Sequence, residues 1–267
     1  MLVGVVQVCA TDDLESNRKR AHEAVTLAAG RGAELVCLPE NFAYMRREGN
    51  AFPCAQPVDG EIVAGLRELA ARLGVWILGG TFPERIPGDD RVYNTSVLVD
   101  AEGAITAVYR KIHLFDVDLG AAGGGAFRES DTFAPGDEIV VAETPFGGLG
   151  MSVCYDVRFP ELYREMSTRG ARLIAVPSAF TPQTGRDHWE VLLRARAIET
   201  QAYLVAPAQC GRHGPDRSSY GRSMIIDPWG LVVAQAGDRP EVILADCDPA
   251  EVDRVREAIP ALQNRRL

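Results

Sequence analysis

Gly150-Met-Ser-Val-Cys154-Tyr-Asp-Val-Arg158-Phe-Pro-Glu161 is the stretch from which the fold is read. Apolar and β-branched residues lead into Cys154, and Asp156 and Pro160 break the run directly afterwards. The pattern predicts a strand over Gly148–Cys154 and a helix over Leu162–Thr168. A thiol then stands at the carboxyl edge of a sheet, where side chains face a crevice and the next helix offers free N–H groups. Two further strand patterns end in complementary chemistry. Leu35-Val-Cys-Leu-Pro-Glu40 ends in a carboxylate and Ala107-Val-Tyr-Arg-Lys111 in an ammonium. A thiol, a base and a cation are the parts of an acyl-transfer site.

Outward from these stretches the chain alternates strand and helix patterns. About a dozen strand-like runs extend from Leu2–Val8 to Val242–Asp246. Leu14, Ala21, Ala24, Val25 and Ala28 recur at helical spacing behind an Asp12 or Asp13 cap, and Gly30 and Gly32 end the run. Ile62, Leu66, Leu69 and Leu73 form a second helical stripe, stopped by Gly74. Trp189–Thr200 and Ala250–Ala258 supply two more. Asp100-Ala-Glu-Gly103 and Asp227-Pro-Trp-Gly230 read as hairpin turns. So many strands for so few helices predict an α/β fold of two mixed sheets packed face to face, with helices outside. No linker or repeat interrupts residues 1–267, which read as one domain with a core over 2–247 and a tail over 248–267. The glycine-rich Gly120–Ala126 stretch reads as a mobile loop.

Composition narrows the function. The net charge of −9 argues against nucleic acid as a partner, since phosphate binding needs a basic face. It suits an anionic substrate only where local arginines override the overall field. No apolar stretch is long enough to span a membrane. The first residues read as a strand rather than a leader, so a cytoplasmic location is expected. The six cysteines show neither C-x-x-C nor His/Cys ligand spacing, so no metal site or disulfide framework is expected. No phosphate-loop or dinucleotide motif asks for a cofactor.

Each candidate has a plain structural alternative. Cys154 alone could fill a core. Glu40 could be an exposed loop acid, though Pro39 fixes it at a strand end beside Asn41, Phe42 and Tyr44. His113, two residues past Lys111, competes with Glu40 as the base. Lys111 could simply reach solvent; beside a reacting carbonyl it would hold an oxyanion.

In order and context, Leu-Pro-Glu40-Asn, Tyr-Arg-Lys111-Ile-His-Leu-Phe-Asp and Val-Cys154-Tyr-Asp-Val-Arg-Phe-Pro-Glu resemble the nitrilase superfamily of carbon–nitrogen hydrolases. Pro177–Thr181, His188–Gln201, Ala208–His213 and Ser219–Gly230 resemble the branch that comprises deaminated-glutathione amidases, with ω-amidases as close relatives. The resemblance implies a four-layer αββα sandwich that pairs as a homodimer. It implies Glu40 as general base, Lys111 as oxyanion stabiliser, Cys154 as nucleophile, and Glu129 as a further glutamate orienting lysine and substrate. It departs from the branch at Arg186-Asp187 and in the glycine-rich stretch, both expected at the pocket rim.

The implied reaction is hydrolysis of a small carboxylate-bearing amide through a Cys thioester, releasing ammonia. The Tyr155 backbone N–H would join Lys111 at the oxyanion. Arg158 would pair with the substrate carboxylate, or serve as a structural ion-pair partner. Phe42, Tyr44, Phe180 and Thr181 would line the pocket. N-carbamoyl or nitrile hydrolysis would reuse the same three residues. Outside enzymes, a thiol redox sensor or an interaction scaffold competes.

Overall fold

The computed structural model describes residues 1–47, 52–120, 125–215 and 217–266. In the first half β1 (Leu2–Gln7), α1 (Leu14–Gly30), β2 (Leu35–Cys37), α2 (Glu61–Leu73) and β3 (Trp76–Leu78) place three strands parallel. β4 (Phe82–Arg85), β5 (Val92–Val99) and β6 (Ile105–Arg110) follow on the same sheet, with β5 antiparallel to β3, β4 and β6. β7 (Asp116–Asp118) and β8 (Ala126–Arg128) form a separate ribbon, and β9 (Phe133–Ala134) returns to β5.

The second half repeats the parallel unit. β10 (Val141–Thr144) leads into β11 (Gly147–Met151), α3 (Pro160–Thr168), β12 (Ala171–Ala175), α4 (Pro182–Thr200) and β13 (Tyr203–Ala206). β14 (Cys210–Arg212) and β15 (Ser218–Tyr220) make a second ribbon, and β16 (Met224–Ile226) and β17 (Val232–Gln235) extend the second sheet. β18 (Glu241–Asp246) crosses back to β1, and α5 (Pro249–Ala258) follows.

Strand periodicity explains the layering. Successive side chains point to opposite faces, so a strand buried on both sides must be apolar at every position. Leu35, Cys37, Leu78 and Leu98 face a core shared with the second sheet, among Met151, Leu173, Ala175 and Val205. Their neighbours Val36, Leu38, Ile77, Val97 and Val99 face a second core with Val25 of α1 and Leu66 and Leu69 of α2. The first sheet is thus sandwiched between helices and the other sheet. Trp189 and Leu193 of α4 and Met166 of α3 cover the second sheet. At Gly4 a Cβ would stand 3.0 Å from the Ala28 Cβ, so the missing side chain lets α1 lie close.

Local signals act where the sequence places them. Asp13 caps α1 by accepting from Ser16 N, and Gly74 ends α2 in the left-handed conformation. Asp100 and Asp227 each tie their hairpin with two backbone N–H groups, and Gly103 and Gly230 take positive φ.

Three differences from the sequence reading stand out. α4 begins at Pro182, seven residues before Trp189, because Thr181 caps it and Pro182 fits the first helical position. The expected tail is docked: Val252 and Val255 are buried, and Gln201 Nε2 donates to Ile259 O at 2.6 Å. The ribbons and the two-residue β9 had no pattern long enough to read. Of the glycine-rich stretch, residues 121–124 lie outside the described residues.

Candidate active site

Strand direction brings the site together. β6 runs the same way as β2, because β5 is antiparallel to both β3 and β6. Glu40 beyond β2 and Lys111 beyond β6 therefore emerge at one edge, and Asn94, near the start of antiparallel β5, meets them there. Lys111 Nζ lies 3.2 Å from Glu40 Oε1, and 3.0 and 2.8 Å from the two oxygens of Glu129. Asn94 Nδ2 donates to Glu40 Oε1 at 2.9 Å and to Glu129 Oε1 at 3.4 Å. The Phe115 N–H donates to Glu129 Oε2 at 2.6 Å.

Lys111 and Glu40 are both buried. Burial works against the Lys111 ammonium, but Glu129 and then Glu40 outweigh it and hold its pKa above the ordinary lysine value. The cation is therefore permanent at neutral pH. The donors from Asn94 and Phe115 help to offset the second carboxylate that the lysine alone cannot neutralise.

Cys154 comes from the other sheet. β11 ends at Met151, and Cys154 opens a short 3₁₀ turn rather than closing the strand. Its φ is +49°, a left-handed conformation that an L side chain occupies only under constraint. Asp156 supplies that constraint. Fully buried, its carboxylate accepts from Val153 N (2.8 Å), Tyr109 Oη (2.7 Å) and His113 N (3.0 Å), and His113 Nδ1 lies 2.7 Å away. One carboxylate thus ties the cysteine turn to the segment around Lys111. The Cys154 N–H also donates to Pro177 O at 2.9 Å.

The thiol shares the cavity with Glu40 and Lys111 and feels the charge of both. Burial, with the Glu40 carboxylate second, pushes its pKa up; Lys111 and the Ala179 N–H oppose this without prevailing. At rest the group is a neutral thiol beside a carboxylate. It is poised to give up its proton as its sulfur forms a bond.

A cavity of about 530 Å³ opens over these groups. Glu40, Lys111, Glu129, Cys154, Tyr155, Phe180 and Thr181 all line it, as their sequence contexts suggested. Four other expectations change. Phe42 and Tyr44 do not line the cavity: Asn41 takes φ +56° and turns the chain, so that Phe42 packs into the core with α1 and α2. Arg158 lies outside the lining, its guanidinium 5.8 Å from the Tyr155 ring and 5.6 Å from that of Phe180, with Nη2 3.3 Å from His188 Nδ1. His113 stacks on Phe159 at 3.7 Å and serves Asp156, away from the cavity. Arg186 and Asp187 sit on the exposed face of α4, not at the rim.

Sequence reasoning missed Asn94, Asp156 and three cavity arginines, Arg46, Arg128 and Arg217. For Asn94 the one available signal was the polar run Asn94-Thr95-Ser96 that precedes the apolar Val97–Val99 of β5. Among the described residues no group of His, Cys, Asp or Glu is gathered as a metal site. No described helix is long and apolar enough to cross a membrane.

Comparison with known proteins agrees with this geometry. The carbon–nitrogen hydrolase family model matches residues 2–257, and the chain belongs to that family. It is 43% identical to the deaminated glutathione amidase of Synechocystis sp., over 99% of this chain and 97% of that one. The Caenorhabditis elegans NitFhit protein superposes with a TM-score of 0.91 at 41% identity, over 99% of this chain and 65% of that larger one. Saccharomyces cerevisiae Nit3, a member of branch 10 of the nitrilase superfamily, superposes with a TM-score of 0.90 at 32% identity, over 100% and 97%. The protein is a hydrolase of carbon–nitrogen bonds.

Since the Glu40 carboxylate raises the Cys154 pKa, the neutral Glu40→Gln side chain lowers it while Lys111 stays in place. Iodoacetamide labelling of the Cys154 peptide, followed by mass spectrometry from neutral to alkaline pH, is expected to shift its midpoint to lower pH in E40Q. An unchanged or higher midpoint contradicts the charge arrangement.

Proposed function

We propose that the protein hydrolyses the γ-amide of deaminated glutathione through a thioester on Cys154. The observation that carries the reading is that Cys154, Glu40 and the Lys111 ammonium line a single cavity, with Lys111 Nζ 3.2 Å from Glu40 Oε1. Glu40 takes the thiol proton while the sulfur attacks the amide carbon and the carbonyl π electrons move onto oxygen. The Lys111 ammonium and the Tyr155 N–H hold that oxyanion. Its collapse breaks the C–N bond, and the proton on Glu40 passes to the departing nitrogen. Glu40 then deprotonates a water that attacks the thioester, and the thiolate leaves and is reprotonated.

Glu129 orients Lys111 from the far side, with both carboxylate oxygens on one ammonium. Tyr155, Phe180 and Thr181 wall the acyl part. Arg158, stacked behind Tyr155 and Phe180, positions that wall. With a primary ω-amide such as α-ketoglutaramate the same steps release ammonia. With deaminated glutathione, a secondary amide, cysteinylglycine departs instead.

The whole chain reads as one hydrolase domain, because Glu40 and Lys111 come from one sheet and Cys154 from the other. All six cysteines are free thiols, which supports a cytoplasmic setting. We read the active form as a homodimer. Val191 and Ile198 of α4 stand 67% and 52% exposed, and Trp229 and Leu231 join them at 53% and 55%. Gly230 lies against Ile198, so the four side chains form one apolar surface of the kind a second copy would cover.

Deaminated glutathione hydrolysis by wild type, Cys154→Ala and Lys111→Ala tests the chemistry. Loss of one oxyanion donor is expected to lower kcat by about 10²–10³ in K111A, with an unchanged circular dichroism spectrum. Near-wild-type turnover in K111A refutes the assignment. For assembly, Val191→Glu combined with Ile198→Glu is expected to convert dimer to monomer in sedimentation velocity. A wild type that already sediments as a monomer refutes the dimer.

A further inference from the structure

Glu40 is fixed first through its backbone. Gln209 Nε2 donates to Glu40 O at 2.9 Å, and the next N–H, that of Asn41, donates to Thr81 Oγ1 at 2.8 Å. At Gly80 a Cβ would stand 2.1 Å from Pro39 O, so the chain there lies directly against the approach to Glu40. With the main chain held, the remaining freedom is rotation of the carboxylate about its own side-chain bonds. A proton transfer needs one particular oxygen turned toward the thiol.

Asn94 of β5 restricts that rotation. Its backbone O accepts from the Lys111 N–H at 3.0 Å, and its side chain spans both carboxylates. Glu40 Oε1 accepts from Asn94 Nδ2 at 2.9 Å and from the Lys111 ammonium at 3.2 Å. Glu129 Oε1 lies 3.4 Å from the same Nδ2 and 3.0 Å from the same Nζ. Facing two acceptors, the amide can present only its NH₂ group. Glu40 Oε1 is thus engaged twice, and among the described residues no N–H donor is paired with Oε2. Asn94 is 1% exposed, and its own Oδ1 accepts from no described residue. A buried carbonyl without a donor is destabilising, so packing of the sheet does not account for this side chain. Its NH₂ group does.

We propose that Asn94 is the positioning residue of the general base. Together with Lys111 it holds Glu40 by Oε1, which leaves Oε2 as the oxygen that exchanges a proton with Cys154. It also keeps Glu40 and Glu129 ionised around one ammonium. This rests on the amidase reading and names a residue that acts through Glu40 within it. The titratable groups beside Glu40 are Lys111 beyond β6, Glu129 beyond β8 and Cys154 beyond β11, whereas Gln209 and Thr81 are neutral. Arg46, Arg128, Asp131 and Arg217 line the same cavity and are unchanged in the variants below. A donor to a carboxylate favours its charged form, so removing the donor raises the pH at which the clamp takes up a proton. The reaction needs the unprotonated base, so activity is then lost at higher pH on the acid side.

The test is the pH dependence of kcat and KM for wild type, Asn94→Leu and Asn94→Ala, with deaminated glutathione and α-ketoglutaramate as substrates. Leu fills a similar volume without a donor, and Ala removes the group altogether. Both variants are expected to lower kcat by about tenfold to a hundredfold, with KM within about threefold of wild type. Both are expected to move the acid limb of kcat/KM up by about one pH unit, the worth of a hydrogen bond to a charged group. The position of that limb does not depend on how much of the enzyme is folded. Ser96→Ala is the control. Ser96 is buried on the same face of β5, two residues on, with its Oγ likewise unpartnered among the described residues, and its loss is expected to leave the limb in place. An acid limb at the wild-type position in both Asn94 variants overturns the proposal alone, as does a loss confined to KM or an equal shift in Ser96→Ala. A wild type that acts on neither amide overturns the amidase reading and the proposal together.

Discussion

A buried ammonium survives only where opposite charge surrounds it, and Lys111 is held between two carboxylates at 2.8–3.2 Å. The rest of the site depends on that clamp. The second carboxylate leaves an excess of negative charge, which the donors from Asn94 and Phe115 offset. Burial, and then the Glu40 carboxylate, keep the neighbouring thiol protonated. The ammonium in turn is fixed and charged before any substrate arrives, so it needs no reorganisation when an oxyanion forms. In the proposed reaction, proton acceptor, oxyanion holder and nucleophile are thus set by one electrostatic arrangement rather than by three separate ones.

The fold supplies what electrostatics cannot, namely the meeting of two sheets. Glu40 and Lys111 share an edge because β2 and β6 run the same way, whereas Cys154 reaches them from β11 through a strained turn. Asp156 accepts donors from both sides of that junction, from Val153 beside the cysteine and from Tyr109 and His113 flanking the lysine. His113 and Asp156 therefore act in placing the nucleophile without touching the cavity.

What the sequence disclosed follows the range of the interactions involved. The caps of α1 and α2, the Asp-to-Gly hairpins and the apolar strand run Leu35–Leu38 are local patterns, and they read directly. β7, β8, β9, β14 and β15 are two or three residues long and exist only through their partners, so no window could detect them. Phe42 stands two residues from Glu40 in sequence but points away, because a single left-handed residue at Asn41 reverses the chain. Arg158 follows Cys154 by four positions, yet a 3₁₀ turn carries it behind Tyr155 rather than into the cavity. Arg46 and Arg217 met only on folding, and nothing in either neighbourhood announced the other.

The account requires that Cys154 alone carry the acyl group during turnover. Rapid acid quenching of enzyme mixed with deaminated glutathione, followed by peptide mass spectrometry, measures this directly. A 2-oxoglutaryl adduct on the Cys154 peptide, and on no other cysteine, is the expected result. Turnover with no adduct at Cys154, or with the adduct on another cysteine, would contradict it.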